Sequence, residues 1–145
     1  GLFEMATPIV HQGNWNCSRN ELYTLGLENI PSRISGYFYC SVNKLTSLEG
    51  APSSIGGDLD CFSNCLSSLH NIHKQIKHIG GYADFLKNPI TSCVLGLLLI
   101  DGLTDVFLDN KKVQNILDKH LALDRDVFAC QEELIENGFE EYAQL

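Results

Sequence analysis

Motifs typical of catalysis are missing from this chain of 145 residues. It contains no Gly-rich phosphate loop, no nucleophile elbow, no His-Glu-x-x-His metal motif and no Cys-x-x-Cys pair. Each of these motifs holds a phosphate, a nucleophile or a metal in place, so their absence argues against the corresponding enzyme classes. The sequence therefore predicts a non-enzyme with no catalytic residue, no metal, no cofactor and no small-molecule substrate.

Long apolar runs are also missing. The longest, Val94 to Ile100, has seven residues interrupted by Gly96, which is far too short to span a bilayer. Residues 1–10 contain no basic region followed by an apolar run, so no intact signal peptide is expected. The chain starts at Gly1 rather than Met, which leaves a missing or processed start open. These features predict a cytoplasmic protein without a membrane partner.

Basic residues are scarce, with ten Lys and Arg against 18 Asp and Glu. The imbalance lies in residues 101–145, which carry eleven acidic and four basic side chains. Nucleic-acid binding requires clustered Lys and Arg on the phosphate backbone. The acidic composition therefore argues against a nucleic-acid partner.

The sequence does contain an internal repeat, apolar-x-apolar-x-x-Asn-x-Leu-x-x-Leu. Its central apolar position is Cys17, Cys40, Cys61 and Phe85 in successive copies, which lie 23, 21 and 24 residues apart. That period is within the range of stacked repeat proteins. The alternation predicts a short strand with its repeat positions inward, and the Asn amide can satisfy backbone groups where the chain turns. No copy can bury its own apolar edge, so the copies must stack.

This repeat resembles the leucine-rich repeats of bacterial effector proteins, and more closely those of bacteriophage-encoded proteins with units like NKLTSLEGAPSSIGG, here residues 43–57. The resemblance covers roughly residues 11–110. It implies an α/β repeat solenoid, a leucine-rich-repeat array of four to five coils with a parallel sheet on the concave face. Cys in place of Val and Gly-Gly at 56–57 and 80–81 depart from the usual unit.

The chain divides into an array at residues 1–110 and a small C-terminal helical cap at residues 111–145. Leu103 to Leu108 predicts a fifth strand, and Asp109 or Asn110 an N-cap for the first helix, whose inward positions are Val113, Ile116, Leu117 and Leu121. The expected second helix begins after Asp124, with Val127, Cys130, Leu134 and Ile135 inward. Phe139 to Leu145 predicts a last short helix. The helical piece either caps the array or forms a second, acidic binding surface.

The cysteines are expected in a reduced core. Cys17, Cys40 and Cys61 hold the same inward position in successive copies, and Cys93 replaces a core Leu. Free Cys behaves as a small buried hydrophobe. One cysteine per coil does not provide a tetrahedral metal site, which requires four converging ligands.

The third copy has a longer return segment, His70 to His78, which contains three His and two Lys. Ile72, Ile76 and Ile79 at helical spacing favour one or two helical turns on the convex side. A metal or phosphate site, a basic contact patch and a solvated convex loop all remain open for this segment.

The outward strand positions form the predicted partner-binding face. They include three Tyr, two Phe and five Asp, but no Lys or Arg. Aromatic residues dominate protein interfaces, and Asp steers binding toward a basic surface. Stacking of strand-compatible aromatics across coils is the simpler alternative. The candidate residues are Tyr37, Tyr39, Asp58, Asp60, Phe62, Tyr82, Asp84, Leu86, Asp105 and Phe107.

These observations predict a protein-binding scaffold. The resemblance implies a phage-encoded protein that acts in the host cytoplasm on a host protein, in host takeover or counter-defence. The alternative is a structural component of a larger assembly, such as a virion or a multi-domain protein.

Overall fold

The computed structural model describes residues 10–145. The expected start of the array at residue 1 and the expected absence of a signal peptide concern residues outside this range. The described strands have two residues each: β1 (Val10–His11), β2 (Trp15–Asn16), β3 (Arg33–Ile34), β4 (Phe38–Tyr39), β5 (Ser54–Ile55), β6 (Leu59–Asp60), β7 (His78–Ile79), β8 (Ala83–Asp84) and β9 (Val106–Phe107).

Within the described range the strands form two parallel sheets. One sheet has the order β1-β3-β5-β7 and the other β2-β4-β6-β8-β9. We call the pairs β1–β2, β3–β4, β5–β6 and β7–β8 coils one to four; the return arm of a coil runs from its repeat Asn to the next coil. The predicted repeat solenoid with a C-terminal helical cap is confirmed. The sheet of β1, β3, β5 and β7 was not predicted, because only one inward residue per strand marks it.

The core follows the predicted register. Phe38 pairs with Leu59, which pairs with Ala83, which pairs with Val106, and all four side chains are fully buried. Cys17, Cys40 and Cys61 lie two residues after the first residues of β2, β4 and β6 and are also buried. The predicted cysteine ladder is therefore confirmed. Cys93 is only half-buried, contrary to prediction; unlike the equivalent Leu25, Leu48 and Leu69, it has its backbone in the left-handed region (φ 58°).

Glycine is required where the chain turns from one sheet to the other. A Cβ on Gly56 would lie 2.2 Å from the Ser35 carbonyl oxygen, and one on Gly80 would lie 2.0 Å from that of Gly56. No side chain fits between backbones at that separation. The Gly-Gly pairs at 56–57 and 80–81 therefore allow neighbouring coils to stack closely at this corner.

The return arms contain short helices. The helix α1 (Ile72–Gln75) forms one turn, which is within the predicted one or two, and Ile72 is buried. Ile76 and Ile79 are also buried, but they follow the helix in extended backbone, and Ile79 belongs to β7. In coil four the return arm forms a 3₁₀ helix, Leu95–Leu99.

The cap consists of α2 (Lys111–Ala122) and α3 (Val127–Glu136). The Asn110 side chain caps α2 by accepting a hydrogen bond from Val113 N, and the four predicted inward positions of α2 are buried. The N-cap of α3 is Asp126, which accepts from Ala129 N at 3.0 Å. The prediction of Asp124 was wrong, because Asp124 lies two residues earlier and accepts only from Asp126 N.

Two further predictions for the cap were wrong. Ile135 is 45% exposed rather than inward, because the buried side of α3 follows Cys130 and Leu134. The segment after Gly138 forms turns instead of a last helix. Its final residues hydrogen-bond to the return arms, where Val94 N donates to Tyr142 O and Asn71 N to Leu145 O.

Candidate functional site

The candidate site is the solvent side of the sheet formed by β2, β4, β6, β8 and β9, which we call the outward face. Strand register aligns Tyr39, Asp60, Asp84 and Phe107 in one row. A second row lies two residues earlier along the chain, just before each strand: Tyr37, Asp58, Tyr82 and Asp105. Backbone hydrogen bonds from Phe38 N to Asp58 O, from Leu59 N to Tyr82 O and from Ala83 N to Asp105 O hold these segments side by side.

The remaining two candidates, Phe62 and Leu86, follow the strands and lie on the same side. Their side chains are half-buried, as are most of the ten, whereas Tyr37 is 41% and Tyr82 38% exposed. The inward neighbours of these residues are fully buried. The structure therefore places all ten predicted residues along one surface.

The aromatic residues of the outward face form two pairs. The Tyr37 and Tyr39 rings stack with centroids 5.9 Å apart. The Tyr82 and Phe107 rings meet edge to face at 5.4 Å. The first pair belongs to coil two and the second joins coil four to β9, so the carboxylates of coil three lie between them. Such pairs hold aromatic rings in defined orientations and bury part of their apolar area.

The carboxylates of this face have a structural role that was not predicted from the sequence. Asp60 Oδ1 accepts from Phe62 N at 3.0 Å, and Asp84 Oδ1 from Leu86 N at 2.9 Å. Asp58 Oδ1 accepts across coils from Tyr82 N at 2.9 Å. Each of these three carboxylates therefore satisfies a backbone N–H through one oxygen, whereas Asp105 Oδ1 accepts from the Thr104 hydroxyl.

In coil one, Asn residues perform both of these roles. Asn16 Oδ1 accepts from Ser18 N at 2.9 Å, and Asn14 Oδ1 accepts from Tyr37 N at 2.7 Å. Asn14 and Asn16 occupy the repeat positions of Asp58 and Asp60. This exchange of Asn for Asp at equivalent positions was the signal in the sequence that could have predicted the structural role. The backbone requires an acceptor at these positions but not a charge, so the negative charge of coils three and four is an addition to the structural role.

The charges of coils three and four influence one another. Burial raises the pKa of Asp84, the Leu86 N–H lowers it, and the neighbouring Asp60 carboxylate raises it further. Burial also raises the pKa of Tyr82, to which Asp58, Asp60 and Asp84 add. Burial is the larger cause for both groups, and the surrounding carboxylates add to it because nearby negative charge disfavours a further one. The centre of the outward face therefore favours a cation.

One cation of the chain already lies at this face. Lys87 Nζ is 5.6 Å from the centroid of the Phe62 ring, although Lys87 is not an outward strand position. Its backbone N–H donates to Asp109 Oδ1 at 3.0 Å. An ammonium group over an aromatic face is attracted by the ring quadrupole. Phe62 is thus partly covered by Lys87, which leaves the two aromatic pairs as the more accessible anchors.

The basic segment His70 to His78 lies on the return arm of coil three. Burial lowers the pKa of His73, and the positive charges of Lys74 and Lys77 lower it further. His78 Nδ1 lies 2.9 Å from Asp101 Oδ2. Among residues 10–145, no group of three or more His, Cys, Asp or Glu is arranged to hold a metal ion.

A cavity of about 380 Å³ lies beside this segment, between the return arms of coils two and three. Buried Leu48, Leu66 and Ile72 form its floor, and Glu49 and Lys74 lie at its rim. One acidic and one basic side chain at the rim favour no ligand charge over the other.

The buried thiols are poor nucleophiles. Burial raises the pKa of Cys17 to about 12 and that of Cys61 well above its usual value. Cys40 and Cys61 lie with their Sγ atoms 3.3 Å apart inside the core. The thiolate is the reactive form of cysteine. Nucleophilic chemistry at the cysteine ladder is therefore disfavoured.

Two observations bear on class and family. In the part of the chain that the structure describes, no helix is long and apolar enough to cross a membrane. Comparisons of the sequence with family models and with curated proteins, and of the structure with solved structures, found no match.

Proposed function

We propose that the protein is a non-enzymatic binding scaffold whose outward face docks a partner protein with a basic surface. The observation that carries this proposal is the placement of carboxylates between two aromatic pairs on one face, at positions where the backbone needs only an uncharged acceptor. The charge is then explained by a partner rather than by the fold.

The chemistry of the face supports this partner class. Tyr and Phe provide large contact areas with few rotatable bonds, which is why aromatics dominate binding energy in protein interfaces. The carboxylate oxygens outside the turn hydrogen bonds are available to Lys or Arg of a partner. Long-range attraction between the acidic face and a basic surface raises the association rate.

The biological setting rests on the sequence resemblance to phage-encoded repeat proteins. Under this proposal the protein acts in the cytoplasm of the infected bacterium, where it binds a host protein and either redirects it or neutralises a defence factor. The repeat array supplies a rigid surface for that purpose, and no catalytic step is required.

The first experiment is a pull-down from bacterial lysate with the wild type and with Tyr37→Ala/Tyr39→Ala/Phe62→Ala. Under the proposal, the triple variant loses the partner that the wild type retains. Tyr23→Ala is the matched control, because Tyr23 is 68% exposed but lies outside the outward face. Identical partner lists for the wild type and the triple variant would contradict the assignment of the face.

A second variant separates charge from structure. Asp58→Asn/Asp60→Asn/Asp84→Asn keeps the Oδ1 acceptors and removes three negative charges, as the Asn residues of coil one do naturally. We expect unchanged thermal stability, slower association with the captured partner and a weaker dependence of the association rate on salt. Stopped-flow or surface plasmon resonance at two ionic strengths measures the association rate and its salt dependence, and thermal denaturation measures the stability. Association that is unchanged and equally salt-dependent would exclude a role of the charges.

A further inference from the structure

The helix α3 has an apolar ridge on the side that faces away from the core. Phe128 is 80% and Ile135 45% exposed, whereas Cys130 and Leu134 are fully buried on the opposite side. Phe128 and Ile135 are seven residues apart, so they lie two helical turns or ~10 Å apart on one face. Glu132 is four residues after Phe128 and three before Ile135, and so lies between them. Single exposed hydrophobics are common, but an aligned pair on one helix face forms a surface.

This ridge is surrounded by negative charge. Asp126, Glu132 and Glu136 belong to α3 or its cap and are exposed. The nearby cations are engaged elsewhere. Arg125 turns inward, where its guanidinium donates to the carbonyl oxygens of Ile100 and Leu103.

Lys119 on the neighbouring helix α2 is also paired, because its Nζ lies 2.5 Å from Glu133 Oε2. The ridge therefore has an apolar side chain at each end and carboxylates between and beside them. A complementary surface presents apolar side chains to the two ends and basic side chains to the carboxylates.

Charge excludes three other occupants. A second copy of this chain would bring the acidic borders of two ridges together, and like charges repel. Nucleic acid and anionic membranes carry the same sign of charge as the ridge and are repelled.

The geometry of the helix then limits the kind of partner that can dock on the ridge. A straight ridge over two turns, with positions i, i+4 and i+7, is the surface that a second helix contacts when two helices pack side by side. We infer that α3 is a second docking site, distinct from the outward face, and that its occupant is a basic amphipathic helix of a partner protein.

The ridge is preformed. Asp126 caps α3, Glu133 ties it to Lys119 and His120 of α2, and Gln131 Nε2 donates to Ala143 O at 3.0 Å. Docking on a helix held in this way requires little ordering of the backbone, which reduces the entropic cost of binding.

The probe for the experiment is a fluorescein-labelled synthetic peptide of Leu and Lys, about fifteen residues long, with amphipathic helical spacing. Its control is a peptide of the same composition whose leucines are dispersed around the helix. Fluorescence anisotropy with the full chain gives both dissociation constants. The wild type is expected to bind the amphipathic peptide and to bind the dispersed one at least about tenfold more weakly.

Three variants locate the binding. Phe128→Ser/Ile135→Ser is expected to weaken binding of the amphipathic peptide at least about tenfold. Leu27→Ser, which removes an 82% exposed side chain outside the cap, and Tyr37→Ala/Tyr39→Ala on the outward face are expected to leave it unchanged. Circular dichroism verifies that each variant retains the wild-type fold.

The proposal is overturned by no binding, by equal binding of both peptides, or by full affinity of Phe128→Ser/Ile135→Ser. A loss of binding in Tyr37→Ala/Tyr39→Ala alone would move the peptide to the outward face, which would support the proposed function and overturn the second site. Binding of wild type, but not of Phe128→Ser/Ile135→Ser, to phosphatidylcholine vesicles would assign the ridge to a membrane surface instead.

Discussion

A single buried amide joins neighbouring coils at each turn of this solenoid. Asn64 Nδ2 donates to Cys40 O and Cys61 O, and Asn64 Oδ1 accepts from Leu45 N at 3.1 Å. Asn43 and Asn88 repeat this arrangement one coil earlier and one coil later. The amide thus uses both donors and its acceptor on backbone groups that have no strand partner at the turn.

Asn64→Ala is expected to lower the free energy of unfolding by about 1–3 kcal/mol, because the buried Leu45 N–H loses its partner. The two carbonyl oxygens keep one donor each, from Asn43 and Asn88. Urea denaturation measures the change. Asn20→Ala is the matched control with a smaller expected loss, because Asn20 is exposed and its side chain donates to Cys17 O alone. Equal losses for the two variants would contradict this role of the ladder.

The thiols are expected to differ in reactivity by position. Cys65 is exposed, so it should react first with a maleimide at pH 8. Cys17, Cys61 and Cys130 should react only after unfolding, because burial excludes the reagent and raises the pKa of Cys17 and Cys130 to about 12. Mass spectrometry of the modified peptides distinguishes these sites. Labelling of Cys61 in the folded protein at the rate of Cys65 would show that the inward register is wrong.

At the scale of elements, the residue at which α3 starts depends on which Asp side chain accepts a hydrogen bond from its first turn. Asp126→Ala is expected to cost about 1 kcal/mol, because Ala129 N loses its side-chain acceptor. Asp124→Ala is expected to cost about 0.5 kcal/mol or less, because Asp124 is exposed and accepts one hydrogen bond at 3.2 Å. Thermal denaturation of the two variants measures the difference. A larger loss of stability for Asp124→Ala than for Asp126→Ala would show that Asp124, the residue predicted from the sequence, is the N-cap.

The packing of α3 on α2 depends on pH through Glu133. Hydrogen bonds from Lys119 and then from His120 lower the pKa of Glu133. A carboxyl whose folded pKa is lowered contributes stability that is complete above the unfolded pKa of about 4.3 and is lost as the pH falls through the folded value. Glu133→Gln should therefore be less stable than the wild type at pH 6, and the difference should shrink below pH 4.

Urea denaturation at both pH values measures this difference. Glu132→Gln serves as the control, since Glu132 is exposed to solvent on α3 and should show no such pH dependence. A constant difference between Glu133→Gln and the wild type at both pH values would contradict the contribution of the ionised carboxylate.

At the scale of the whole molecule, the solenoid has to end where no further coil is available. In the regular coils, each inward strand residue donates its N–H to a carbonyl of the next coil, as Cys40 N does to Asp60 O. In β9 these acceptors are replaced by side chains of α2. Val106 N donates to Asp118 Oδ1 and Leu108 N to Gln114 Oε1, both at 2.9 Å. The helix thereby satisfies the edge strand and prevents pairing with another chain.

This ending makes the charge of Asp118 unnecessary for the fold. Burial raises the pKa of Asp118, whereas the Val106 N–H lowers it. Asp118→Asn keeps an acceptor and removes a partly buried charge, so it should be as stable as the wild type or more stable at pH 7. Its advantage should decrease as the pH falls toward the raised pKa.

Asp118→Ala is expected to cost about 1–3 kcal/mol, because Val106 N is left without a partner. Asn115→Ala on the exposed side of α2 is the control, with an expected change near zero. Differential scanning calorimetry at several pH values compares all three. A loss for Asp118→Asn as large as that for Asp118→Ala would show that the carboxylate charge itself is needed.

The sequence alone determined the period, the inward register and the place of the repeat Asn. The physical reason is translation along the stack: each coil packs against copies of itself, so a pattern within one repeat already specifies its neighbours. The cysteine ladder and the inward positions of α2 were predictable because both repeat at a spacing set by local geometry. The members of the outward face followed from the same strand alternation.

Only the tertiary structure decided the features that do not follow from this repetition: the second sheet, the contacts between coils and the orientation of the helices at the end of the stack. The sheet of β1, β3, β5 and β7 depends on how closely neighbouring coils approach, which Gly56 and Gly80 permit and no local pattern records. The structural role of Asp58 exists only because its carboxylate accepts a hydrogen bond from Tyr82 N of the next coil. The exposed ridge of Phe128 and Ile135 arises because α3 packs through Cys130 and Leu134, a choice between two apolar sides that the helix alone does not make.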